Sequence, residues 1–187
     1  MRCVLIGPTH PFRGGIAHYT TLLYRALVEQ GHMVLFVSFK RQYPRWLFPG
    51  RSDRDPSNKP LEVETAKYLI DSLNPLTSLA SFWHMRRYQP DILVMQWWTT
   101  FWAPAWLVMG ILNHLLLRKP LTYICHNVLP HEARWYDRWL VRLVLSWGSR
   151  FVVQSAAEKA LLLSLLPRAD VSVVPHPTYD MFADQRI

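Results

Sequence analysis

Two cysteines in 187 residues are too few for a disulfide framework, and no metal-ligand spacing accompanies them. Cys3 and Cys125 both fall inside strand-like apolar runs, where a thiol acts as a small buried hydrophobe. That usage fits a reducing compartment. Acidic residues are scarce as well: 13 Asp and Glu stand against 21 Lys and Arg, for a formal net charge of +8. Such an excess points to an anionic partner, whether nucleic acid, anionic lipid or a phosphorylated substrate. From Ile92 to Leu117 charge of either sign is missing, over a length that would span a bilayer. Within that run Gln96, Thr99, Thr100, Pro104, Asn113 and His114 divide it into a buried strand and a helix instead. Met1 leads straight into an apolar strand, without the charged and apolar regions of a signal peptide, so the expected location is cytoplasmic. With half of its residues apolar and 18% charged, the chain is not of the disordered class, and its length suits one α/β domain.

Strand-like runs recur at 2–7, 33–39, 91–96, 121–126, 150–154 and 171–175, with a weaker one from Ala66 to Leu73. Helical patterns separate most of them, at 16–30, about 76–89, 103–117, 134–147 and 156–166. Apolar strands alternating with helices predict a doubly wound, mostly parallel Rossmann-like sheet with helices on both faces. Residues 40–64 break the rhythm as a long basic, proline-rich loop. Ligands of such sheets bind beyond the carboxyl ends of the strands, near the reversal of strand order. That rule gathers Pro8–Gly15, Gln96–Phe101, His126–Glu132 and Gln154–Ser155 onto one candidate edge.

Two familiar phosphate-binding patterns are missing. Gly7, Gly14 and Gly15 are too far apart for the dinucleotide fingerprint, strand 2 ends in Ser38-Phe39-Lys40 without an acidic residue, and no GxxxxGK[ST] occurs. What is present is a double glycine just before an amphipathic helix, which turns the chain tightly and offers bare N–H groups to a phosphate or sugar hydroxyl. Arg13 stands beside it, and His10 and His18 flank it. His126, at a strand's carboxyl end, suits a ligand role or a satisfied structural one. Asn127 and Glu132 are placed to cap the next helix as well as to meet substrate. His131 is undecided, and His32, His84 and His114 carry no partner signal. Asp53-Arg54-Asp55 reads as a solvated turn in the basic loop, rather than a metal site after a strand.

GPTHPFRGGIAHYT, the strand-end CHNVLPHE, and FVVQSAAEKALL followed by VSVVPHPTYDMF resemble the N-terminal domain of a family 4-like glycosyltransferase. The resemblance runs from Arg2 to about Phe182 and implies one of two Rossmann-like domains of the B-type fold, facing each other across a cleft. It implies that residues 1–182 are the acceptor-side domain and that 183–187 begin a linker to a donor-binding domain. It also implies that Gly14 and Gly15 line the cleft, that His126 lies near the transferred sugar, and that Pro175-His176 marks the approach to the second domain. The implied reaction moves a sugar, with retention, from a nucleotide-sugar donor to a glycan or lipid-linked acceptor. No metal or other cofactor is expected, because backbone dipoles and basic side chains such as Arg13 would steady the leaving diphosphate. The Glu-x7-Glu signature of the family's second domain is missing from this chain, so alone it should lack transfer activity.

In the predicted helix 134–147, Arg134, Arg138 and Arg142 form a basic stripe beside an apolar one of Trp135, Trp139 and Leu143. An interfacial helix needs that pairing to hold anionic lipid heads and bury tryptophan below them, although an ordinary amphipathic helix shares it. Trp97, Trp98, Trp102 and Trp106 suggest further exposed aromatic surface near the cleft mouth. Three functions follow: half of a glycosyltransferase at a membrane, a free-standing non-catalytic module that pairs with another chain or a membrane, or nucleic-acid binding. The last rests on charge alone, with no recognised reader motif, so no nucleic-acid partner is expected.

Overall fold

The computed structural model describes residues 1–44, 54, 62–130 and 132–176. Apolar runs become strands where neighbours on both sides bury them. These are β1 (Arg2–Ile6), β2 (Met33–Arg41), β3 (Lys67–Asp71), β4 (Ile92–Trp97), β5 (Leu121–Cys125), β6 (Arg150–Val153) and β7 (Val171–Val173). Their order is β3-β2-β1-β4-β5-β6-β7, and every neighbouring pair is parallel. This is the expected doubly wound Rossmann-like sheet, and the weak run at 66–73 is its edge strand β3. Strand order reverses between β1 and β4, which opens a crevice at their carboxyl ends.

Helices α1 (Gly15–Glu29), α2 (Pro75–Arg87), α3 (Ala103–Leu112), α4 (Trp135–Leu145) and α5 (Ala156–Leu165) make the crossovers. Right-handed crossovers that run in opposite directions along a sheet must lie on opposite faces. Accordingly α1 packs Leu23 and Tyr24 over Leu5 and Phe36 on one face. On the other, α2 meets α3, α3 meets α4 and α4 meets α5 above the larger core. The charge-free run 92–117 is β4 in mid-sheet, a 3-10 turn at Thr100–Trp102, α3, and a π turn at Asn113–Leu117. Asn113 ends that helix by bonding the Lys119 carbonyl and accepting the Lys119 N–H, at 2.9 and 3.3 Å.

The tryptophans correct the expectation of an exposed aromatic surface: Trp97, Trp98, Trp102 and Trp106 are all buried. Trp98, Trp102 and Trp106 converge on Phe39, with ring centroids 4.4 Å apart for Phe39–Trp102 and 5.4 Å for Trp102–Trp106. Burial is tolerated because three of the indole N–H groups find acceptors: the Val128 carbonyl, the Tyr43 hydroxyl and the Gln96 carbonyl. Cys3 and Cys125 are buried and free, and burial pushes the Cys3 thiol up to about 11 and that of Cys125 further. They behave as the small hydrophobes their position suggests. β2 continues to Arg41, two residues into the expected loop, while 45–53 and 55–61, with Asp53 and Asp55, lie outside the described residues. The expected domain end and linker at 177–187 lie outside them too, as does His131.

Candidate functional site

The loop after β1 is tied down before it reaches its glycines. Thr9 and Thr21 share a hydroxyl–hydroxyl bond of 2.8 Å, Phe12 is buried against Phe39, and the Tyr68 hydroxyl donates to the His10 carbonyl. Gly14 then takes φ +116, a conformation that L side chains rarely adopt. Its carbonyl accepts the Ala17 and His18 N–H groups and so starts α1. Nothing lies within 4 Å of where a Gly14 Cβ would stand, and no acidic side chain occupies the first turn of α1. The helix therefore places no acidic residue of its own first turn against its positive end. Arg13, Gly14 and Gly15 are exposed there, and His18 is half-buried.

The loop after β5 is fixed from two sides. The Val128 N–H donates to Glu158 at 2.6 Å and the Val128 carbonyl accepts Trp97 Nε1 at 3.1 Å, while the His126 N–H bonds the Trp97 carbonyl. This seats the His126 ring inside the crevice, buried. Its Nε2 lies 2.7 Å from Oε1 of Gln96, whose side chain ends β4 beside it. Tyr19, one turn into α1, meets the ring edge-on at 4.9 Å, and His176 after β7 stacks on it at 5.7 Å. Tyr19 thus links the first turns of the glycine-loop helix to His126. Among the described residues, His126 Nδ1, Gln96 Nε2 and both side-chain polar atoms of Gln154 are buried without a hydrogen-bond partner. Native structures leave few such atoms, so a row of them at the ends of β4, β5 and β6 is an unusual concentration of unmet hydrogen-bonding capacity.

Burial, and then repulsion from His176, pulls the His126 pKa down to about 4, so the ring is neutral at pH 7. An unfolded histidine takes a proton near 6.5. Between these values the unfolded chain binds more protons than the folded one. The stability linked to His126 is therefore full above about pH 6.5 and falls as pH drops toward 4, by on the order of 3 kcal/mol. Urea unfolding at several pH values should show this slope, and His126→Asn should flatten it. Equal acid slopes in the two proteins would contradict the assignment.

Other expected site residues are placed differently. Neither Asn127 nor Glu132 caps α4: the helix starts at Trp135, and buried Asp137 accepts the Arg134 N–H at 2.6 Å while also taking the Thr100 hydroxyl. A carboxylate already inside the first turn satisfies the cap, so the capping expectation is corrected. Asn127 is half-buried beside His126, and Glu132 is exposed in the turn before α4. Arg134 precedes the helix in extended conformation and so leaves the proposed stripe. Arg138 and Arg142 remain on the exposed side with Trp135 and Trp139, which are 88% and 61% exposed. That side belongs to the α2–α5 layer, opposite α1. Among the described residues, no group of three or more His, Cys, Asp or Glu could hold a metal ion. The sequence places Gln96 on the edge by its run but does not pair it with His126. The available signal was a single polar side chain at the carboxyl end of an otherwise apolar strand.

Comparison with known proteins agrees with this fold. A family model described as a glycosyl transferase 4-like domain matches residues 14–177. The UDP-GlcNAc 2-epimerase of Methanocaldococcus jannaschii has a similar structure, with a TM-score of 0.60 at 13% identity. The match covers 93% of this chain and 45% of that one, so the chain spans less than half the length of this solved protein. No match is found among curated proteins.

Proposed function

This chain belongs to the glycosyl transferase 4-like family, and from that premise we propose that it is the acceptor-side half of a retaining glycosyltransferase. It would close on a nucleotide-sugar held mainly by a second domain, and present a glycan or lipid-linked acceptor to it. The observation that carries this reading is the neutral His126 with its unpartnered Nδ1, set beside the glycine-loop helix at the crevice. A neutral imidazole suits a sugar hydroxyl, because it exchanges a hydrogen bond without adding charge next to the breaking C1–O bond. The positive end of α1 and Arg13 suit the other half of the chemistry, where charge grows on the departing diphosphate. A screen of nucleotide-sugars with the protein as its own gene encodes it, read as acceptor-dependent release of nucleoside diphosphate with retained anomeric configuration, tests the proposal. Tight binding of a glycan without any turnover would favour a non-catalytic module instead.

A second element of the proposal concerns location. Two tryptophans exposed beside Arg138 and Arg142 on one side of α4 suit the headgroup region of an anionic membrane, at its cytoplasmic face. At about 1 kcal/mol per basic residue near the surface, Arg138→Gln with Arg142→Gln should weaken binding by roughly thirtyfold. Co-sedimentation with phosphatidylglycerol vesicles measures this. Binding that survives both changes and high salt would contradict it.

A further inference from the structure

Gln96 is clamped by three elements. Its backbone carbonyl accepts Trp106 Nε1–H from α3 at 3.0 Å. Its side chain lies against Gly7 at the end of β1, where an added Cβ would stand 2.5 Å from Gln96 Cγ and 2.9 Å from Thr20 Cγ2. The Thr20 hydroxyl donates back to the Ile16 carbonyl at 2.7 Å, and no hydrogen bond joins it to the carboxamide. Of the two polar atoms on this fully buried side chain, Oε1 meets His126 Nε2 at 2.7 Å and Nε2 meets nothing.

A carboxamide oxygen carries no proton, so the hydrogen of this bond must come from the imidazole. In a neutral ring a proton on Nε2 leaves Nδ1 bare, and Nδ1 is the ring nitrogen without a partner. We propose that Gln96 is a positioning residue that fixes the Nε2–H tautomer of His126, so that Nδ1 serves only as an acceptor, for the O–H of a ligand hydroxyl. The tautomer rests on the Gln96 contact alone; the hydroxyl rests on the nucleotide-sugar reading above. A guest that bonds here must donate to the ring, so an alkoxy or keto oxygen at the same place would be rejected. The Gln96 N–H groups, unpartnered as well, suit the oxygen of a second hydroxyl.

Nitrogen NMR of the histidine side chains near pH 7 tests the tautomer directly, with the His126 signals identified by their loss in His126→Asn. The expected spectrum has a protonated Nε2 and a bare Nδ1. Gln96→Leu should replace this single tautomer by a mixture, and Gln96→Glu should restore Nε2–H, because a carboxylate also accepts there. If the leucine variant does not fold, Gly7→Ala provides the second perturbation, since its methyl must push Gln96 from its seat. A protonated Nδ1 in the unaltered protein, or a tautomer indifferent to every one of these changes, would overturn the proposal. The correct tautomer in a protein that turns over no nucleotide-sugar would instead count against the proposed reaction and leave the role of Gln96 standing.

Discussion

Trp106→Ala is expected to cost at least about 4 kcal/mol, and so a large share of the stability of a domain of this size. The indole is fully buried, stacks on Trp102 and lies 6.0 Å from Phe39. Removing it opens a cavity under α3, for which Trp→Ala changes cost roughly 3–5 kcal/mol. It also takes the donor from the Gln96 carbonyl at the end of β4, and a stranded buried acceptor adds about 1–3 kcal/mol. Trp106→Phe keeps most of the packing and loses only the N–H, so it should recover more than half of the deficit. Urea titration of the three proteins measures both quantities. A loss below about 1 kcal/mol for the alanine variant would mean that the aromatic cluster is not the centre of the core.

The second large effect belongs to His126→Ala, and it is read on the proposed reaction. A neutral imidazole that bonds a sugar hydroxyl as charge develops at the anomeric centre helps to stabilise the transition state. Removing one such preorganised polar group costs about a hundredfold in turnover, or roughly 2.7 kcal/mol of barrier. The same change strands the buried Gln96 Oε1, which costs about 1–3 kcal/mol of stability. Turnover is therefore compared for folded protein, well below the unfolding transition of the variant. A loss of turnover that tracks unfolding would not support the proposed role.

Much of the sheet was legible because parallel strands buried on both faces must be nearly continuous apolar runs. RCVLI, ILVMQW and LTYIC could hardly be anything else between helical patterns. Even the weak KYLID run found its place, since a strand at the sheet's edge tolerates a charged residue at each end. Parts of the site were legible for a related reason: topology alone sends Gly14, Gln96, His126 and Gln154 to the carboxyl edge. Local patterns do not say which of those side chains touch. Gln96 and His126 are 30 positions apart, and only the β4–β5 register and the gap at Gly7 bring the carboxamide to the ring. The tryptophans misled for a similar reason. A cluster of large rings looks like surface until Phe39 on β2 and the three acceptors are seen beneath it. Asp137, hidden behind the more conspicuous Asn127 and Glu132, took the cap because it sits inside the helix's first turn.

The central claim is that the crevice between β1 and β4 receives the sugar of a nucleotide-sugar, with neutral His126 as its contact. It is tested most directly by acceptor-dependent release of nucleoside diphosphate, measured for the protein as its own gene encodes it and for His126→Ala. The account predicts turnover in the first and about a hundredfold less in the second, with equal circular dichroism. Equal turnover in both, or none from any nucleotide-sugar in the unaltered protein, would contradict it.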